Sequence, residues 1–524
     1  IGNGGDLELT GATISGGNSS FTVTMMGGAA VIAPSITVGT DRTVTVNGTG
    51  STTFNGNLTS SSTGTGLSVS NTGTNLFNGT VVVNGSTGGI TLAGGTNTFA
   101  QNVTINATGT LTVSGGTTVF GATRTVNTNG GAVSLTGSAN TTFDANVTSG
   151  GGAWTVSSSG STTVNGVITG SGALTKTGSG TLTFAAPNAN FSGAVTLSAQ
   201  GSGANAGLIV ASASNALGTG AVGLTFNTTG GIPTKVQLQL SGGITLGNAF
   251  TTTGAGSNGT SSGLIRTLTG ANTLTGGLTM QSGGGSTTLR ADTGSSLVLN
   301  GAVTANAIGR YLTLVGGGDF TFGSAGSINN TSTTGTVGFW SQNSGSTTIS
   351  SAANTYTLGT EIGNGNILTV AALADGLANS SIGAAAVTAT NLVLDNGTLR
   401  FAGSTAQSTN RLFSVGTGGA TLDASGTGSG TMSFTGTGSL GFIGTTPEGG
   451  TASTSTAART LVLTGTNAGD NTFTPVIANN TGATSLTKSG TGTWVLNGSN
   501  TYTGGTTLTL GTLRAGNASA FGSG

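Results

Sequence analysis

Two apolar markers recur at one period early in the chain. Val44, Leu67, Ile90, Leu111, Val133 and Trp154 each open an apolar–hydroxyl–apolar triplet, at steps of 23, 23, 21, 22 and 21 residues. Phe54, Phe77, Phe99, Phe120 and Phe143 keep pace, at steps of 23, 22, 21 and 23. Four residues after each phenylalanine except Phe120 comes a further apolar residue: Leu58, Val81, Val103 and Val147. A unit of about 22 residues is too short to bury an apolar face alone, so it must stack on its own copies.

Within each unit apolar residues alternate with Thr or Ser, the period-two pattern of a strand with one face inward. Glycine and asparagine separate these runs, as in "NGTGS" at 47–51, and tolerate the positive φ that tight corners require. No helical spacing appears. The pattern predicts an all-β, right-handed parallel β-solenoid with about 22 residues and three short strands per rung. At ~4.8 Å per rung such a chain makes a rod roughly 95–115 Å long. Residues 1–524 read as one continuous solenoid, most regular over 1–170 and looser over 171–524. Longer insertions at 254–263 and 444–458 are expected to leave the corners as loops.

Stacking explains the composition. Charged residues make up 5% of the chain, against about 25% in typical soluble proteins. In a solenoid each side chain lies one strand spacing from its copy, and a charge ladder would repel itself. Threonine suits the outer face, being β-branched and able to hydrogen-bond to the next rung. The phenylalanines are expected to stack inside; an outward aromatic row could hold sugars, but their even period favours an internal ladder.

The same composition excludes several function classes. The 12 basic and 12 acidic residues are scattered singly, so no basic patch exists for nucleic acid. No apolar run approaches the ~18 residues of a membrane-spanning helix, and no amphipathic basic segment suggests a membrane surface. Histidine and cysteine are absent, which removes disulfides, Ser-His-Asp and Cys-His catalysis, and in practice zinc. "GGGDF" at 316–320 is a lone fragment of a calcium-binding repeat, and there is no P-loop.

Two stretches share a phrase. "LTKSGTGTWVLNGSNTYTGGTTLTLGTLRAG" covers 486–516, and "LTKTGSGTLTFAAPNANFSGAVTL" covers 174–197 with Phe191 in place of tyrosine. The first resembles the bacterial autotransporter-associated β-strand repeat, also called the passenger-associated transport repeat, through Leu486, Thr487, Lys488, Gly490, Gly492, Thr493, Leu496, Asn500, Thr501, Tyr502, Gly504, Thr506, Gly511, Thr512 and Leu513. "NTYTLGTEI" at 354–362 and "NLVLDNGTLRFAG" at 391–403 resemble its usual continuation. The clearest family-type stretches are thus 172–220, 354–403 and 485–524. The resemblance implies a β-helical passenger at a bacterial surface or secreted from it, a repeat associated with export and folding, and no catalysis. The family's C-terminal barrel and a signal sequence are not visible in these residues, which reads as a segment of a longer chain with both ends inside the repeat.

Several residues are weighed individually. Lys176 and Lys488 share a face with inward leucines and are expected to extend outward at a corner, discouraging wrong pairing. Asp6 and Glu8 are close in sequence. Asp375, Asp395, Asp423 and Glu448 are spaced to stack on one face, as are Arg266, Arg290 and Arg310; single charges of this kind are usually solvated corner residues. Accordingly no residue is nominated as catalytic, cofactor-binding or metal-binding. The leading expectation is a non-enzymatic structural or adhesive protein, extracellular or at the cell surface. Its partners would be further copies of itself, head to tail or side by side, or surface glycans. A β-helical polysaccharide lyase or glycosidase is the alternative. Ice binding through Thr-X-Thr rows such as Thr43–Thr45 and Thr110–Thr112 is the third, weakened by Gly66 and Ala132.

Overall fold

The computed structural model describes residues 5–11, 14–15, 19–106, 108–198, 207–225, 236–253, 263–281, 286–331, 335–444 and 456–524. The predicted insertions fall almost wholly outside these residues, as does Glu448. Among the described residues the paired strands run parallel, and the one helical element is a 3₁₀ turn at Ala389–Asn391. The chain is an all-β parallel solenoid of about 20 turns with ~23 residues per turn. It divides into two units, Ile1–Thr253 and Gly254–Gly524.

In the first unit, as far as Thr169, each turn contributes one strand to each of three stacks. Ser51–Phe54, Leu58–Ser60 and Thr65–Val69 form one such turn. The next is Thr74–Phe77, Val81–Val83 and Gly89–Leu92, paired in register with it. The alternation read in the sequence is the alternation of burial: in Val81–Val83 the outer two residues face the core and Val82 does not. The second stack ends at Ile168–Thr169, while the first and third continue.

The phenylalanine period becomes a column of rings. Phe54, Phe77, Phe99, Phe120 and Phe143 are paired rung to rung and at most 2% exposed. Their rings stack at 5.1, 4.6, 5.0 and 4.9 Å between centroids. Aligned strands hold the rings near-parallel at a centroid spacing within the range aromatic pairs favour. Trp154, from the third stack, closes on Phe143 at 5.6 Å.

Two features depart from the pattern. Two residues before each of these phenylalanines stands a residue that faces inward and is buried, yet polar: Thr52, Asn75, Asn97, Thr118 and Thr141. The asparagines answer corner carbonyls and one another: Asn75 donates to Asn97 at 2.8 Å, Asn71 to the Gly50 carbonyl at 2.8 Å, and Asn97 to that of Gly94 at 2.9 Å. Outside, side-chain ladders are built largely by asparagine at the corners, as in Asn129 to Asn106 to Asn84. Corners also need glycine. At Gly48 φ is +97°, and a Cβ would lie 2.0 Å from the Met25 carbonyl oxygen of the preceding rung.

In the second unit Ile265–Leu274 bends to serve two stacks, pairing Ile265 with Leu289 and Gly270 with Ser295. The first of these stacks continues through Ser286–Ala291, Arg310–Gly316, Val337–Ser341, Thr360–Gly363 and Leu392–Asp395. Leu289, Leu312, Leu314, Phe339, Ile362 and Leu394 fill the interior side of that stack, all fully buried.

Candidate functional site

Lys176 and Lys488 do face inward, but their heads do not reach solvent; both side chains are fully buried. The corner turns its backbone carbonyls toward the amine, which is held there. Lys488 Nζ donates to the carbonyls of Ser489 at 2.7 Å, Gly490 at 2.8 Å and, one rung on, Leu510 at 3.0 Å. Lys176 Nζ donates to Gly178. Glycines on the next rung make room: a Cβ at Gly207 or Gly511 would meet Nζ at 2.9 or 2.8 Å. Burial lowers the Lys176 pKa to about 8 and lowers that of Lys488. These lysines tie corners together.

The asparagine of the shared phrase has a comparable duty. Asn500 accepts from the Ile477 amide at 2.8 Å and donates to the Ala520 carbonyl at 2.6 Å. Asn188 does the same between Ile168 and Ala216, and Asn354 between Ile328 and Ser380. Each joins its own rung to the one before and the one after. Beside it Tyr356 is buried and meets Thr360 Oγ1 at 2.7 Å, as Tyr502 meets Thr506.

The scattered charges are not all solvated corners, and the acids do not share one face. Asp375 is exposed and accepts from the Asn410 amide. Asp423 is 6% exposed and pairs with Arg400 at 2.7 Å in a different stack from Asp395. Asp6 and Glu8 are exposed at the first described strand. Arg310 faces inward and is 1% exposed, whereas Arg266 and Arg290 face outward on neighbouring strands. Both bond to Asp292, at 2.6 Å each. Burial raises the Asp292 pKa, but the two arginine hydrogen bonds and charges outweigh it, and the net shift is downward.

Outward threonines form columns one hydroxyl wide. In the third stack Thr45, Ser68, Thr91, Thr112, Ser134 and Thr155 lie in register. Alanine or glycine occupies much of the column beside them, at Gly89, Ala132 and Ala153. A two-hydroxyl lattice is therefore not built there.

One outer face breaks the threonine pattern. On the outside of the stack in the second unit, Thr288, Thr313, Trp340, Glu361 and Val393 lie in one register row. The adjoining row holds Arg290, Val315, Gly363 and Asp395. Tyr311 stacks on Trp340 at 4.2 Å between centroids, with the rings 25° apart. Gln342 Nε2 donates to Glu361 Oε1 at 2.7 Å. Asp395 Oδ1 accepts from the Gly418 amide at 2.6 Å. Burial pushes the Glu361 carboxyl up to about 7; the Gln342 hydrogen bond opposes this and the Asp395 charge adds to it.

Glycine shapes this face. A Cβ at Gly338 would lie 2.3 Å from the Tyr311 ring, one at Gly363 2.9 Å from the Gln342 amide, and one at Gly416 2.3 Å from Asp395 Oδ1. Each large side chain therefore leans along the stack over a glycine of the next strand. Trp340 and Glu361, though outward, are recessed, while Tyr311, Gln342, Arg290 and Asp395 are half-buried at the rim. Of the residues in this constellation, Tyr311, Trp340, Gln342 and Glu361 escape the sequence reading. The one signal was Trp340, an aromatic of opposite parity to the inward Phe339.

Comparison with known proteins bears on both phrases. The family model for the passenger-associated-transport-repeat matches residues 174–201 and 486–515. Over 237 residues the chain is 36% identical to an adhesin, the BmaC autotransporter of Brucella suis biovar 1 (strain 1330). The match covers 43% of this chain and 6% of that adhesin, so the chain spans a small part of the relative's length. No solved structure matches. The chain carries the transport repeat on a passenger-type β-solenoid with distant likeness to an adhesin, and the repeat implies a secreted or surface-exposed segment.

Proposed function

We propose that this segment is a non-catalytic, surface-displayed adhesive passenger. It holds binding surfaces away from the cell and takes surface glycans or further copies of itself as partners. The observation that supports this most is that the transport-repeat stretches are rungs of the solenoid itself. Leu174–Lys176 and Thr484–Lys488 each sit within a continuous parallel stack, their lysines spent on corner carbonyls. A zero net charge leaves little electrostatic repulsion between neighbouring copies.

One observation speaks for a catalytic reading. Glycoside cleavage uses two carboxyl groups, one kept protonated near neutral pH, and Glu361 beside Asp395 supplies such a pair in outline. A single experiment separates the readings. The chain displayed on a non-adherent bacterium should confer attachment to epithelial cells, and the purified chain should release no reducing ends from polysaccharides. Release that disappears in Glu361→Gln would overturn the non-catalytic reading, and failure to confer attachment would overturn the adhesive one.

A further inference from the structure

We propose that the outward face carrying Tyr311, Trp340, Gln342, Glu361 and Asp395 is a saccharide-binding site for linear hexopyranose chains running along the stack. The inference rests on the adhesive reading for its biological purpose but not for its chemistry.

The first argument is one of placement. The other two tryptophans, Trp154 and Trp494, and the other two tyrosines, Tyr356 and Tyr502, are at most 1% exposed in the core. Tyr311 and Trp340 instead stack on the outside. In a chain with 24 charged side chains, Glu361 and Asp395 lie on this face on adjoining strands, and the Arg266–Arg290–Asp292 cluster lies on the same face further along the stack. Packing explains the inner aromatics; it gives no reason for an outer pair amid charge.

The second argument is chemical. A pyranose ring presents an apolar C–H face and a rim of hydroxyls. Aromatic rings accept the first, and carboxylates, amides and guanidinium groups converge on the second. Here the half-buried Tyr311 ring stacks on Trp340, Trp340 pairs in register with Glu361, and Gln342, bonded to Glu361, belongs to the row that leads on to Asp395. The outward row is recessed: Thr313 is 8% exposed, Trp340 7% and Glu361 6%. The glycines at 338, 363 and 416 let the rim side chains lie flat, so the face runs lengthwise across strands. A linear polymer matches that shape. A second copy of this chain would present mostly threonine, with no partner for the buried carboxyl. Glu361 has a role in this arrangement: hydrogen-bonded through Gln342, it is an acceptor or a donor for a sugar hydroxyl according to its protonation.

The test uses the whole 524-residue chain with cellohexaose and chitohexaose as probes, read by calorimetry and by tryptophan emission. With Trp154 and Trp494 sealed in the core, an emission change reports Trp340. At least one probe is expected to bind, and Tyr311→Ala and Gln342→Ala are each expected to weaken it at least tenfold while keeping the native far-UV circular dichroism. Three results would overturn the proposal: no binding of either probe, binding that both variants leave intact, or a concentration-dependent self-association that Tyr311→Ala abolishes in place of sugar binding. Attachment conferred by a chain that binds neither hexasaccharide would sink this site and leave the adhesive reading standing. Hexasaccharide binding without attachment would do the reverse.

Discussion

The rings of Phe77 and Phe99 lie 4.6 Å apart and within 5° of parallel, one strand step along the same stack. Each ring thus stacks on its own counterpart on the next turn. Phe99→Ala removes a ring from the middle of that column and should cost about 3–5 kcal/mol, the range for large core truncations. The damage should stay near its rung, because repeat stability is a sum of nearest-neighbour terms. Hydrogen exchange should show lost protection around Phe77, Phe99 and Phe120 and little change near Val23.

Asn354 bridges three turns through two hydrogen bonds, to Ile328 and Ser380. Asn354→Ala would strand a buried amide and a buried carbonyl, at a cost of about 1–3 kcal/mol each. Asn354→Asp should rescue poorly, since a carboxylate cannot donate to the Ser380 carbonyl. Chemical denaturation of the second unit's turns, followed by exchange at Ile328, checks both.

The Lys176 amine has its folded pKa lowered from 10.5 to about 8 by burial. The folded state therefore binds this proton less tightly than the unfolded chain does. Stability should rise as pH climbs from about 8 to about 10.5 and lie flat just below that window. Lys176→Met should flatten this rise, measured as the denaturation midpoint against pH.

Glu361 shifts the other way, from 4.5 to about 7. Its folded form holds the proton more tightly, so its favourable contribution is full below about 4.5 and lost as pH rises to about 7. At 1.36 kcal/mol per unit this amounts to roughly 3 kcal/mol. Glu361→Gln should remove that slope and be the more stable protein above pH 7. The same titration compared in the two proteins measures it.

The legibility of these features in the sequence follows from geometry. The phenylalanine column could be read because alternation fixes the face and the period fixes the rung. Parity also gave the inward direction of Lys176 and Lys488. It could not give the destination of the amine, because corner carbonyls such as Gly490 and Leu510 converge only once the turns are stacked. Inward Asn75 and Asn97 were invisible for the same reason: their partners are backbone groups. The Tyr311–Trp340 face was missed because Val337–Ser341 reads as an apolar run without alternation. Glu361 looked like one more isolated charge until the register set it beside Gln342 and Asp395.

Successive turns lie in register, each pairing with its neighbours. The absence of cysteine makes this directly testable. Thr142, Thr163 and Thr183 occupy one outward column, Thr142 paired with Thr163 and Thr163 with Thr183. Adjacent strands lie ~4.8 Å apart, inside the Cα separation of about 4.4–6.8 Å that a disulfide spans. Two strand steps exceed it. The double variant Thr142→Cys with Thr163→Cys should therefore cross-link under mild oxidation, while Thr142→Cys with Thr183→Cys should stay reduced. Cross-linking of the second pair in preference to the first would contradict the rung-to-rung stacking.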